Sequence, residues 1–162
     1  MSRAKKLLGG VNRNRAKVIQ RYAGVGDLKG NAEHGKLLFT THCSVCHSFK
    51  GQGNKVGPDL AAFSVKPIND WLIGILDPNR AVETTYTTYL IMSKDDSALT
   101  GVLASETPAA LIIRTASGQE MTVLRKNLKS VQAIGQSLMP EGLETALKPE
   151  AVADLLAYLR KP

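Results

Sequence analysis

Cys43-Ser44-Val45-Cys46-His47 is the stretch on which the reading of this 162-residue chain turns. Its cysteines are the only two in the chain. A pair at this spacing suits a redox dithiol, half of a metal site, or the attachment of a haem. The flanking sequence separates these chemistries. A thioredoxin-like dithiol needs a strand before the pair and a helix after it. Here Asn31 is a helix N-cap, and Gly35, Leu37, Leu38 and Phe39 continue a helix up to the cysteines. Gly51, Gly53, Gly57 and Pro58 make Phe49 to Leu60 a loop. A zinc site needs two further ligands at short spacing, and His34 and His42 are the remaining histidines.

The haem reading accounts for all five residues. Two thiols on one helical turn reach the two vinyl groups on one edge of a porphyrin. The following His47 is then held under the iron as proximal ligand. A second axial ligand is the next requirement. Met139 stands before Pro140, which pushes it into extended backbone between the last expected strand and the last helix. A thioether there projects from a loop, so Met139 is the leading distal candidate. Met92 and Met121 fall in expected strands and are read as core. They, His34, His42 and an open iron remain the alternatives. In Gly57-Pro58-Asp59-Leu60 the Pro58 carbonyl is placed to accept from the imidazole Nδ1–H, fixing the tautomer. Trp71 is the only indole, and its N–H needs a partner when buried. A haem propionate or a backbone carbonyl would serve.

Working outward, Asn12 to Ala23 reads as a helix with Val18, Ile19 and Tyr22 on one stripe. Gly24, Gly26 and Gly30 break the pattern. Pro67 to Leu76 is a short helix stopped by Asp77-Pro78-Asn79. Strands are expected at Tyr86 to Met92, Ala98 to Ala104, Ala110 to Thr115, Glu120 to Leu124 and Ser130 to Ile134. Ser117-Gly118 marks a hairpin between the third and fourth of these. Pro149 opens a last helix to Arg160, striped by Val152, Leu155, Leu156 and Leu159. The expected organisation is a basic helical arm or linker over 1–29, then a mainly α domain over 30–162. A small antiparallel β-sheet or barrel interrupts that domain at about 83–134, making the chain α+β overall. With so few rings, the sheet is expected to pack on the helical part.

Composition sets the outer limits. The hydrophobic share is 43% and the charged share 22%, which excludes a disordered or collagen-like chain. No apolar run approaches the roughly 20 residues that span a bilayer. Aromatics are only 5%, so the core packs on aliphatics or takes bulk from something bound. The net charge is +7. Arg3, Lys5, Lys6, Arg13, Arg15, Lys17 and Arg21 all precede the first acidic residue, Asp27. A basic arm can meet nucleic acid or an anionic membrane. Without a nucleic-acid motif it reads as a solvated helix, and no nucleic-acid partner is expected. Leu7 to Val11 is too short an apolar centre for a secretory signal, as in a mature product or a fragment of a longer chain.

The order of Gly35 to Phe39, Cys43-Ser44-Val45-Cys46-His47, Gly57-Pro58-Asp59-Leu60, Met139-Pro140 and Asp154 to Leu159 resembles the class I cytochrome c family. Leu76-Asp77-Pro78-Asn79, Tyr86-Thr87-Thr88-Tyr89, Leu99-Thr100-Gly101 and Ser137 to Leu143 add a similarity to the extended haem-binding domain common in planctomycetes. This resemblance implies one haem c joined through Cys43 and Cys46, with His47 and Met139 as axial ligands. It implies one-electron transfer with no substrate bond made or broken, hence no enzyme. A haem enzyme or gas sensor with a displaceable distal ligand is the alternative, and a docking module built on the β insertion is a third reading. Redox partners are expected to be acidic, or a parent dehydrogenase domain. The expected location is the periplasm or another exported space.

Overall fold

The computed structural model describes residues 13–160 except Ala81, and only the backbone of Arg13. Arg3, Lys5, Lys6 and Asn12 lie outside the described residues. Among the described residues, four α-helices and a β-sheet make the architecture mixed. Helix α1 spans Arg13–Arg21, α2 Ala32–His42, α3 Ile68–Leu76 and α4 Pro149–Leu159.

Helix α2 begins where its cap dictates: the Asn31 side chain accepts from the backbone N–H groups of Glu33 and His34. It crosses α4 at backbone contact. A Cβ on Gly35 would lie 2.0 Å from the Asp154 carbonyl oxygen, and one on Gly30 2.3 Å from that of Ala153. Asp154 ties the crossing from outside by accepting from the Asn31 N–H and meeting His34 Nδ1 at 2.7 Å. The stripe Val152, Leu155, Leu156 and Leu159 is buried, as are Trp71, Leu72, Ile75 and Leu76 of α3. Phe39, Phe49 and Tyr158 close the core with ring centroids 5.1–6.0 Å apart.

The described part of segment 1–29, expected as an arm or linker, is packed into this core. Val18, Tyr22 and Val25 belong to it, and the chain passes through Gly24 and Gly26 as a 3₁₀ helix, Ala23–Asp27. Arg15 explains the docking. Its Nε donates to the Leu76 carbonyl at 2.6 Å and its Nη2 to the same oxygen. Its other contacts form a two-pronged pair with Glu144, at 2.7 and 2.9 Å. The basic residue thus satisfies the carbonyl end of α3.

Two short strands occupy the start of the expected loop, the first beginning one residue before it: β1, Ser48–Phe49, pairs with β2, Gln52–Gly53. Lys50 and Gly51 between them both have positive φ, 48° and 79°, which a two-residue hairpin turn of this twist requires. The remaining strands are β3 Thr88–Ser93, β4 Ala98–Glu106, β5 Ala110–Arg114, β6 Glu120–Leu124 and β7 Leu128–Ala133. They form one antiparallel sheet in the order β6-β5-β4-β3-β7, lying in sequence between α3 and α4. Ile91, Leu111 and Ile113 give it a small core of its own, flanked by Tyr89, Leu99, Leu103, Val123 and Leu128. Aliphatic residues substitute for the missing rings. Met121 is not part of that core, being 47% exposed.

Candidate functional site

The attachment segment is a tight turn. The Cys43 N–H donates to the Phe39 carbonyl, and the N–H groups of Cys46 and His47 both donate to the Cys43 carbonyl, at 3.0 and 2.8 Å. The loop after it folds back on the turn. Asn54 N–H donates to the Ser44 carbonyl, its Nδ2 to the Val45 carbonyl, and Gly57 N–H to the Cys46 carbonyl at 2.7 Å. This brings Pro58 beside His47, where Nδ1 lies 2.8 Å from the Pro58 carbonyl oxygen. A carbonyl only accepts, so Nδ1 carries the proton and Nε2 keeps its lone pair. Asp59 holds the far side of the loop, accepting from Ser48 Oγ at 2.9 Å and from the Ala61 N–H.

Met139 is held from the other side of the chain. Its N–H donates to Ser137 Oγ, and the Ser137 N–H donates to Asn79 Oδ1 at 2.9 Å. Asn79 Nδ2 in turn donates to Glu141. The Asp77-Pro78-Asn79 stretch, read in sequence only as a helix stop, therefore also anchors the methionine loop. The sheet anchors the loop's start, through Thr88 N–H to the Gln136 carbonyl and Ile134 N–H to the Thr88 carbonyl.

Cys43, Cys46, His47, Pro58, Trp71 and Met139 all line one predominantly apolar cavity of about 300 Å³. Leu60, Phe63, Ile75, Leu143, Leu155 and Leu159 complete much of its wall, and Tyr86 and Val102 extend it to the sheet side. Of the alternative ligands, His42 borders the cavity, while His34, Met92 and Met121 do not. His34 pairs with Asp154 instead.

Partial burial governs the electrostatics of the site. Burial, with a smaller contribution from Cys46, pushes the Cys43 thiol up to about 12. Burial also raises Cys46. It lowers His47 against the opposing hydrogen bond to the Pro58 carbonyl, favouring the neutral imidazole, which can donate its lone pair. Asp77 sits in the cavity wall, 3% exposed, with one carboxylate oxygen unpartnered. Burial raises its pKa, Glu141 adds to the rise, and Arg80 and Arg15 oppose it.

Two observations test whether this chamber suits a haem. Trp71 Nε1 is buried without a hydrogen-bond partner, a donor waiting for an acceptor such as a propionate. A neutral imidazole, a thioether and two thiols line one predominantly apolar cavity, the donor set of a covalently held haem. The residues fit the group. Among the described residues no cluster of three or more His, Cys, Asp or Glu offers an alternative metal site.

Comparison with known proteins agrees. Residues 32–98 match the cytochrome c family model. Over 34 residues the chain is 53% identical to cytochrome c of Arabidopsis thaliana, covering 20% of this chain and 30% of that protein. It is 49% identical over 37 residues to cytochrome c of Cochliobolus lunatus, covering 22% and 34%. The same shares hold for cytochrome c of Stellaria longipes, at 46% identity over 37 residues. The matched stretch thus spans about a third of each relative's length. The family match includes Cys43, Cys46, His47, Pro58 and Trp71, while Met139 lies beyond its end.

Proposed function

We propose that this cytochrome c family domain carries one haem c, joined through Cys43 and Cys46, and relays single electrons with His47 and Met139 as axial ligands. When bound, the haem supplies an iron that alternates between ferric and ferrous states. The observation carrying this reading is that His47, with Nε2 left free by the Pro58 bond, and Met139 line the same cavity.

The polypeptide's part is to hold and insulate. Cys43 and Cys46 would hold the group, Pro58 fixes the imidazole's orientation and raises its donor strength, and Ser137 with Asn79 holds the methionine loop. Trp71 Nε1 supplies a donor for a propionate. The predominantly apolar wall would disfavour the more highly charged ferric state. A His/Met pair adds to that by favouring the ferrous state, so the potential is comparatively high.

The sheet between α3 and Met139 is the insertion that sets this domain apart from a minimal cytochrome c, as in the extended planctomycete-type domain. The net charge of +7 suits an acidic redox partner or a parent dehydrogenase domain, with rates falling as salt rises. Covalent haem attachment would suit the periplasm or another exported compartment. No helix among the described residues is long and apolar enough to cross a membrane.

Replacing Met139 by Ala tests the reading. The expected result is a lower potential and carbon monoxide binding to the ferrous variant but not to the untreated parent. An unchanged potential would overturn the ligand assignment. Carbon monoxide binding to the parent would favour a gas sensor or haem enzyme.

A further inference from the structure

The β-sheet makes a specific contact with the attachment loop. Arg114, the last residue of β5, donates from Nη1 to the Lys55 carbonyl at 2.5 Å. The rest of its guanidinium is clamped by Glu120, directly opposite on β6, which accepts from Nε at 3.1 Å and Nη2 at 2.6 Å. Lys55 lies two residues before Gly57 and three before Pro58. A Cβ on Gly57 would sit 2.6 Å from His47 Cε1, and the Pro58 carbonyl accepts from His47 Nδ1. The turn following β5 closes on the same place: the Ala116 carbonyl oxygen is 3.9 Å from Cys46 Sγ.

We propose that Arg114 is a positioning residue for His47, and that the sheet acts through it to brace the ring on the side where Pro58 accepts its proton. The proposal rests on the reading of His47 as an axial ligand. Its physical basis is a lever. A rigid fork, fixed at one end by a carboxylate across a strand pair, holds a carbonyl three residues from the one that orients the imidazole. The loop from Gln52 to Pro58 has little regular structure beyond its two ladder residues. Without the Arg114 bond, the segment between Asn54 and Gly57 loses its hold on the sheet. Pro58 is then held only by the Gly57 and Asp59 bonds on either side of it, and a weaker Nδ1 bond makes the imidazole a poorer donor.

The test compares haem-loaded wild type, Arg114→Ala, Arg114→Lys and Arg125→Ala. Arg125 is a matched control, since it also joins a carbonyl, Thr107, to a carboxylate, Glu106, on the same sheet but away from the loop. Two quantities are read: exchange of the His47 Nδ1 proton by NMR in the ferrous protein, and the reduction potential. Arg114→Ala should speed exchange by about tenfold, as expected for loss of one charge-assisted hydrogen bond, and move the potential positive. Arg114→Lys should recover part of both effects, and Arg125→Ala should change neither. Identical exchange in wild type and Arg114→Ala would overturn the proposal, as would an equal effect of Arg125→Ala. Failure of the wild type to hold a haem would instead sink the functional reading. The Arg114 proposal, which rests on that reading, would then fall with it.

Discussion

Gly57 lies flat against the His47 imidazole, so close that a methyl group in its place would sit 2.6 Å from Cε1 and 2.9 Å from Nδ1. The glycine is required for space, since these separations are far inside van der Waals contact. Gly57→Ala must therefore tilt the ring or lift the loop that carries Pro58. The expected outcome is a weakened Nδ1 bond, a potential shifted positive and a broadened absorption spectrum. Redox titration followed optically checks it, and an unchanged potential would place the ring elsewhere.

The α2–α4 crossing makes a second demand. Alanine is favoured over glycine inside a helix by about 1 kcal/mol, so Gly35→Ala would stabilise an isolated α2. In the folded protein its Cβ would meet the Asp154 carbonyl oxygen at 2.0 Å. That oxygen is backbone and cannot swing aside, so overpacking wins. A net loss of about 2 kcal/mol is expected, read as a lower urea midpoint. A midpoint at or above wild type would contradict the close crossing.

Arg15 and Glu144 join α1 to the segment before α4. The Arg15 hydrogen bond is the main reason the Glu144 carboxyl is held below its usual value. A carboxyl whose pKa falls on folding contributes stability above its unfolded pKa and loses it as pH falls through the folded one. Removing the guanidinium also leaves the Leu76 carbonyl without its partner. Arg15→Ala should cost about 2–3 kcal/mol at neutral pH. Its unfolding curve should approach the wild type's in acid. A pH-independent difference would mean that the loss is packing alone.

Asp77 carries the opposite sign. Burial raises its pKa, so the unfolded chain gives up this proton more readily and stability falls as pH rises through the folded value. Asp77→Asn should therefore match wild type in acid and exceed it near neutrality. Thermal melts across that range check the crossover, and equal melting temperatures at neutral pH would remove Asp77 from the account.

The parts of this molecule legible in its sequence are those written locally. The cysteine–histidine turn, the Asn31 cap and the α4 stripe depend on neighbours a few residues apart, and periodicity or spacing reports them directly. The strands between α3 and α4 were visible for the same reason, through β-branched runs and turn residues. What sequence could not disclose is long-range. Arg15 read as one of several solvated basic residues, yet 129 positions separate it from Glu144. Arg114 falls inside an expected strand, and its loop partner is 59 residues away. Met121 alternated correctly for a strand, but β6 lies at the sheet's edge and leaves it exposed. Lys50-Gly51 gave a local hint of the small β1–β2 hairpin, hidden by a non-glycine residue taking positive φ.

Denaturing intact-mass analysis of protein matured in a host that attaches haem tests the central claim most directly. The account predicts a single species heavier than the polypeptide by one haem, with the added mass retained through denaturation and located on the peptide containing Cys43 and Cys46. A species at the bare polypeptide mass from such a host, with both thiols free to alkylation, would contradict it.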